Sequence, residues 1–355
     1  MRAYRERTLR GPSAELAAFA LVALSCAACA PDIDPQSELK GLRVLAVQKD
    51  KPYAKPTDSV TLTMLTHDVD GPRPLDIRWF ARCRNPPGDL YYRCFEDPAS
   101  FDVSLSDIGS TLTLNNLPGD DDIPDDIITS RPPPPDPRFP RYGLIYVFFA
   151  ACAGELRLVP QVDAGAFPVG CFVPNTDTQL GARDFVAGYT SVYVYDDFTN
   201  SNPTPADEFL VAGQLVADSS GVDLTCVNCT TPPPAPPDCN GPSSHCVQAC
   251  PDDGELECPK IPILPVIDPS QAEVDAVSAA VYGREVGEQM WVDYYVDRGS
   301  VDSVARLVND STKGFNPDLG TSFRAPAATG PVNIWAVVHD NRGGVGWSRV
   351  TLNVF

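Results

Sequence analysis

The sequence predicts an all-β protein built as two antiparallel β-sandwiches, the second carrying a cysteine-rich irregular insert. Three observations predict it. Val, Thr and Tyr recur in short alternating runs, which suit a pleated, half-buried surface. The 355 residues include 37 Pro and 25 Gly, too many for long helices. The closing stretch, residues 330–355, reads as a β-hairpin around the turn Asp340, Asn341, Arg342, Gly343 and Gly344. In its first arm Val332, Ile334, Ala336 and Val338 share one face, with Asn333, Trp335, Val337 and His339 on the other. In its second arm Val350, Leu352 and Val354 alternate with Arg349, Thr351 and Asn353. Side chains on a strand alternate with period two, so one face is expected to be buried and the other wet.

The chain opens with Arg2, Arg5, Arg7 and Arg10, then an apolar core over residues 16–24, then Ser-Cys-Ala-Ala-Cys. This predicts a secretory signal peptide over residues 1–29, too short to span a membrane stably. Its terminal Cys makes it resemble a bacterial lipoprotein signal, in which a Cys is lipidated and becomes the mature N-terminus. Cys26 and Cys29 compete for that role. Ala23, Leu24 and Ser25 precede Cys26 as apolar and small residues; Ala-Ala precedes Cys29. Ten Cys follow Cys29, so cleavage there leaves an even number to pair. That parity favours Cys29. A plain cleaved signal without lipid is the simpler alternative. Residues 30–41 read as a polar tether.

The first sandwich is expected over residues 42–197. Strands are predicted in the runs LRVLAVQ, SVTLTML and DIRWFARC, with turn residues between them. Cys83 and Cys94 flank a Pro-Pro-Gly loop and predict a loop-closing disulfide. Next comes FDVSLSDIGSTLTLNNL, read as two further strands, and then the acidic loop GDDDIPDDIITS. Asp120, Asp122 and Asp125 are weak Ca²⁺ candidates, since that cation takes several oxygens, but they miss the EF-hand spacing. A solvated, mobile loop is the expectation. YGLIYVFFAACAG reads as a buried strand and FVAGYTSVYVYDD as its partner, with Cys152 and Cys171 as a second disulfide. Tyr189, Ser191, Tyr193 and Tyr195 share one face of the latter strand, either a binding platform or plain packing.

Residues 198–206 read as a linker, and 207–355 as the second sandwich. EFLVAGQLVAD is expected as its first strand and QMWVDYYVDRG as a later one. Its insert, 226–258, holds Cys226, Cys229, Cys239, Cys246, Cys250 and Cys258 with His245, and almost no large apolar residues. Such a segment cannot build a core, so covalent bridges must hold it. Disulfides are the expectation, with pairing undetermined. A zinc site from Cys226, Cys229 and His245 with Cys246 or Cys250 is the rival, weakened because a second CxxC is missing.

The two ends together resemble bacterial Ig-like and PKD-like repeats: LRVLAVQ, SVTLTML, DVDG and IRWF at the start, and GPVNIWAVVHDNRGGVGWSRVTLNV at the close. Trp79 sits like the core Trp of an Ig-type third strand. With the signal peptide, the chain resembles surface lipoproteins of myxobacteria and related bacteria. That resemblance implies an Ig/PKD-like fold and an envelope location, outer membrane-anchored or at the cell surface. It implies no mechanism, because sandwiches host many unrelated activities.

The formal net charge of −20 argues against nucleic acid, whose phosphates need Lys and Arg stripes. The three His are His67, His245 and His339; His67 and His339 are expected at the surface or in turns. No nucleophile elbow, zinc-helix motif, phosphate loop or dinucleotide fingerprint is present. The expectation is a non-enzymatic, lipid-anchored envelope protein with no catalytic residues and no cofactor, acting as an adhesion, scaffold or interaction module toward a surface protein or polysaccharide. Metal binding and carbohydrate binding are the alternatives.

Overall fold

The computed structural model describes residues 35–95, 105–117, 120–159, 167–217, 239, 241, 245–251 and 258–355. The signal peptide with Cys26 and Cys29, and Cys226 and Cys229, lie outside the described residues. Residues 36–355 form one compact unit. The described residues are nearly all β, with two antiparallel sandwiches inside that unit.

The first sandwich pairs β1 (Arg43–Lys49), β2 (Val60–His67) and β4 (Thr111–Leu114) in one sheet, in the order β1-β2-β4. The facing sheet contains β3 (Asp76–Arg84), β5 (Gly143–Cys152) and β6 (Phe185–Val194), with β5 in the middle. Every residue of β5 is buried. Ile145, Val147, Phe149 and Ala151 fill the core between the sheets with Trp79, Leu62 and Met64. Leu144, Tyr146, Phe148 and Ala150 face outward into a second apolar cluster with Phe80, Phe95 and Leu156. An unbroken apolar strand needs both faces covered. Here the outer cover is stapled on: Cys83 is bonded to Cys94 and Cys152 to Cys171.

The acidic loop departs from the solvated segment expected. Ile123, Ile127 and Ile128 are buried in the first core, so the loop is a plug, with Asp122 paired to Arg82 and Asp125 and Asp126 exposed.

The second sandwich stacks β7 (Glu208–Val211), β8 (Ile261–Pro265) and β11 (Thr321–Arg324) against β9 (Met290–Val296), β10 (Ala305–Asp310), β12 (Gly330–Asp340) and β13 (Val345–Val354). Its core joins Phe209, Phe323 and Tyr294 to Val332, Ile334, Ala336 and Val338 of β12. The run EFLVAGQLVAD is a hairpin rather than one strand: β7 turns through Ala212 and Gly213, both at positive φ, into Gln214–Ala217. A short helix, α1 (Ala276–Tyr282), was also unforeseen. Asp275 caps its first turn by accepting from the Ser278 N–H, and Gly283 closes it at φ 65°.

Part of the insert docks on the second sandwich. Cys246–Val247 pairs in parallel with Asn353 and Val354, covering the outer edge of β13. Cys239 is bonded to Cys246 and Cys250 to Cys258.

Two segments read as connectors are built into the fold. Of the expected tether, residues 37–39 lie against β9: the Val296 N–H donates to the Ser37 carbonyl at 2.8 Å, and the Leu39 N–H to the Val296 carbonyl at 2.9 Å. Of the linker, Asn200 is buried, and a Cβ on Gly346 would collide with the Pro203 carbonyl oxygen.

Candidate functional site

The expectation that β12 wets its second face fails. Trp335 and Val337 are both fully buried on that face. They meet Leu45 and Ala46 of β1, Leu65 of β2, Leu39 and Tyr295. This apolar patch is one half of a seam that joins the two sandwiches. The run Trp-Ala-Val-Val in β12 has no polar alternates, and that was the available sequence signal.

His67 belongs to the seam as well, more covered than the surface or turn position expected, while His339 lies at the open edge of the seam. The His67 ring lies 4.4 Å from the Trp335 ring, and its Nε2 is 3.7 Å from an Asp297 carboxylate oxygen. Burial lowers its pKa to about 4, with Asp68 opposing and Arg349 reinforcing the shift. Burial likewise raises the carboxyl of Asp297, against hydrogen bonds from Asn333. His339 stacks on Trp291 at 5.2 Å, with its Nε2 3.3 Å from Asp293.

The other half of the seam is polar and is organised by the hairpin turn. Asp340 accepts from the N–H groups of Arg342 (2.7 Å) and Gly344 (2.8 Å) and from the Asn200 amide at 3.0 Å. Gly343 takes the turn through φ 90°, a conformation that side chains resist. The turn buries Arg342, whose guanidinium pairs with Glu288 and with Glu273 at 2.7 Å. Burial opposes its charge, but those two carboxylates hold its pKa up. Burial raises the Glu288 carboxyl despite the pairing. The Arg342 guanidinium also lies 5.9 Å from the Tyr53 ring of the first sandwich. Asn202 fastens the same region, donating to the Lys49 carbonyl at 2.5 Å and accepting from the Val345 N–H at 3.0 Å.

Lys49 ends β1 beneath this turn. It is 5% exposed. Its Nζ donates to the Ser191 carbonyl at 3.3 Å. Burial lowers its pKa to about 8, with the charge of Asp340 opposing. A cleft of about 370 Å³ opens above it, lined by Lys49, Tyr189, Trp291, His339, Asp340 and Val345 among others. Among the described residues β6 is paired on this side only at Tyr193 and Val194, which leaves the cleft open. Reading the sequence singled out Tyr189 but not Lys49, Trp291 or Asp340 as site residues. Those three come together only through the packing of one sandwich on the other.

The predicted metal candidates do not converge. Asp122 is buried and sits 2.7 Å from the Arg82 Nε, with its other oxygen accepting from the Asn115 N–H at 3.1 Å. Asp120 lies in a two-residue strand pair with Asn116 and Leu117, and Asp125 is exposed. His245 gives its carbonyl to the Asn353 N–H at 2.7 Å. Cys246 and Cys250, which a zinc site would recruit, are both in disulfides. Among the described residues, no three of His, Cys, Asp and Glu are grouped as a metal ion would need.

On the aromatic face, Tyr193 and Tyr195 pack internally with Tyr53 and Tyr142, whereas Tyr189 is 43% exposed and stacks on Tyr91 at 4.3 Å.

No protein-family profile matches the chain, and no curated protein does. Solved structures match loosely. The D0–D1 domain of intimin aligns over 87% of this chain and 98% of its own, at 9% identity and a TM-score of 0.18. The three N-terminal domains of the outer capsid protein Hoc of bacteriophage RB49 align over 88% and 99%, at 10% identity and a TM-score of 0.20. The chicken CNTN1 FN1–FN3 domains align over 88% and 64%, at 9% identity and a TM-score of 0.18. Superpositions this loose carry no inference about activity.

Proposed function

We propose that the chain is a non-enzymatic, lipid-anchored cell-envelope protein, of the kind seen in myxobacterial surface lipoproteins, that works as an interaction module. The seam is the observation that supports this most. It fixes two sandwiches as one compact unit, so that surface loops and the exposed Tyr91–Tyr189 pair ride on a rigid frame. The four disulfides among the described residues fit an oxidising compartment. Arg342, the buried cation of the hairpin turn, is engaged with Glu288 and Glu273, which suits a structural role for that turn. The anchor is the lipidated Cys29 or Cys26, and the partner is a surface protein or polysaccharide.

The test is metabolic labelling of expressing bacteria with an alkyne fatty acid, followed by membrane fractionation. The wild-type chain should carry label and sediment with membranes, and Cys29→Ser or Cys26→Ser should lose both. An unlabelled chain released into the soluble fraction would overturn the anchor.

A further inference from the structure

We propose that the cleft at the seam binds a carboxylated sugar, with the ring against Tyr189 and Trp291 and the carboxylate on the Lys49 ammonium. This rests on reading the chain as an interaction module, and it assigns that module a site and a ligand class.

The walls come from both sandwiches. Tyr189 of β6 is backed by Tyr91, with ring centroids 4.3 Å apart and planes 20° apart. Trp291 of β9 is backed by His339, at 5.2 Å and 15°. Each ring is therefore held flat by a second ring, which fixes it before any ligand arrives. A pyranose offers an apolar C–H face to such a surface and hydroxyls at its rim. His339 and Thr190 line the same cleft and can hydrogen-bond that rim.

Lys49 supplies the charge. Its ammonium has three N–H groups, and one is spent on the Ser191 carbonyl. Among the described residues no carboxylate lies within ion-pair distance of it. Asp340, whose charge acts on it, already accepts from two backbone N–H groups and from Asn200. A buried ammonium with a single neutral acceptor is costly, and a counter-ion removes that cost. A ligand carboxylate entering the cleft would be that counter-ion. At about 370 Å³ the cleft lies near the small end of ligand pockets, which suits one sugar unit. The overall charge of −20 opposes an anion's approach, but such repulsion is screened beyond about 8 Å at physiological salt.

The test uses the full chain and amine acylation. Lys49 is held near pKa 8, so part of it is neutral and reactive at pH 7.5. Acetylation of Lys49 by an N-hydroxysuccinimide ester is followed by peptide mass spectrometry, with digalacturonate, a neutral digalactoside or benzoate present. We expect digalacturonate to slow acetylation at Lys49 on the order of tenfold, with the digalactoside and benzoate far weaker. Trp291→Ala should weaken digalacturonate binding on the order of tenfold in titration calorimetry, the size of a lost aromatic contact. Lys49→Met should abolish binding while the chain stays folded by circular dichroism. Equal protection by the digalactoside, equal protection by benzoate, or no protection by digalacturonate would each overturn the proposal. None of these outcomes bears on fatty-acid labelling, so failure here leaves the anchored-module reading standing.

Discussion

Trp335 and Arg342 sit on one hairpin: Trp335 packs on the first sandwich through apolar area, whereas Arg342 pairs its charge with Glu288 and Glu273 of its own sandwich and reaches the first at the Tyr53 ring. Trp335 is fully buried against β1 and β2, beside Val337. Arg342 is buried among Glu288, Glu273 and the ring of Tyr53. The apolar half is non-directional, and its strength scales with area. The charged half gains little net stability, because each ion was well solvated before folding, but it fixes one arrangement. The halves thus divide the work: the first holds one sandwich on the other, and the second holds the hairpin turn in one shape. The cleft above Lys49 lies where they meet.

The largest effect should come from the apolar half. Trp335→Ala removes a large buried side chain and should cost about 3–5 kcal/mol in urea unfolding. Arg342→Met is next, at about 3 kcal/mol, because it strands the buried carboxylate of Glu288. Adding Glu288→Gln to Arg342→Met should recover part of that loss, which an apolar contact of equal size would not do. A double variant as unstable as the sum of its parts would show that the charged half does not act as a pair.

A smaller effect links His67 to acid. Its pKa in the fold is about 4 and its unfolded value about 6.5. The unfolded chain therefore binds more protons between those values, and stability falls as pH drops through that window. Asp297, whose pKa is raised, works the other way, since the fold then takes up its proton first. The net loss should be about 2 kcal/mol. His67→Phe should flatten the wild-type slope in urea midpoints between pH 6.5 and pH 4; an unchanged slope would place the acid sensitivity elsewhere.

The smallest effect has the opposite sign. Lys49 titrates near 8 in the fold and near 10.4 when unfolded, so its charge is a burden at neutral pH that eases as pH rises above 8. Lys49→Met keeps the stem, removes the charge and forfeits one hydrogen bond. We expect a gain of about 1–2 kcal/mol at pH 7 and a flatter stability profile from pH 8 to 9.5. A residue that lowers stability and lines a cleft is what a binding role would retain.

Much of the architecture was legible in the chain, because period-two alternation and turn residues are local signals. The closing hairpin, the buried run of β5 and the third strand with Trp79 all follow from them. The seam was not legible, since it depends on which sandwich face meets which, and no local pattern encodes that. Trp335 and Val337 looked like the outer face of a hairpin because their cover comes from residues far back in the chain. Asp122 looked like a metal ligand because Arg82, its partner, is likewise remote. Lys49 reads as the first turn residue after LRVLAVQ, whereas in the structure it ends β1 and is buried. α1 was missed although Asp275 and Gly283 are ordinary cap residues, because the flanking strand runs drew the reading.

Calorimetric unfolding of the full chain tests most directly whether the seam makes the two sandwiches one body. A single cooperative transition is expected for the wild type, splitting into two in Trp335→Ala as each sandwich melts by itself. Two transitions already present in the wild type, with neither moved by Trp335→Ala, would contradict it.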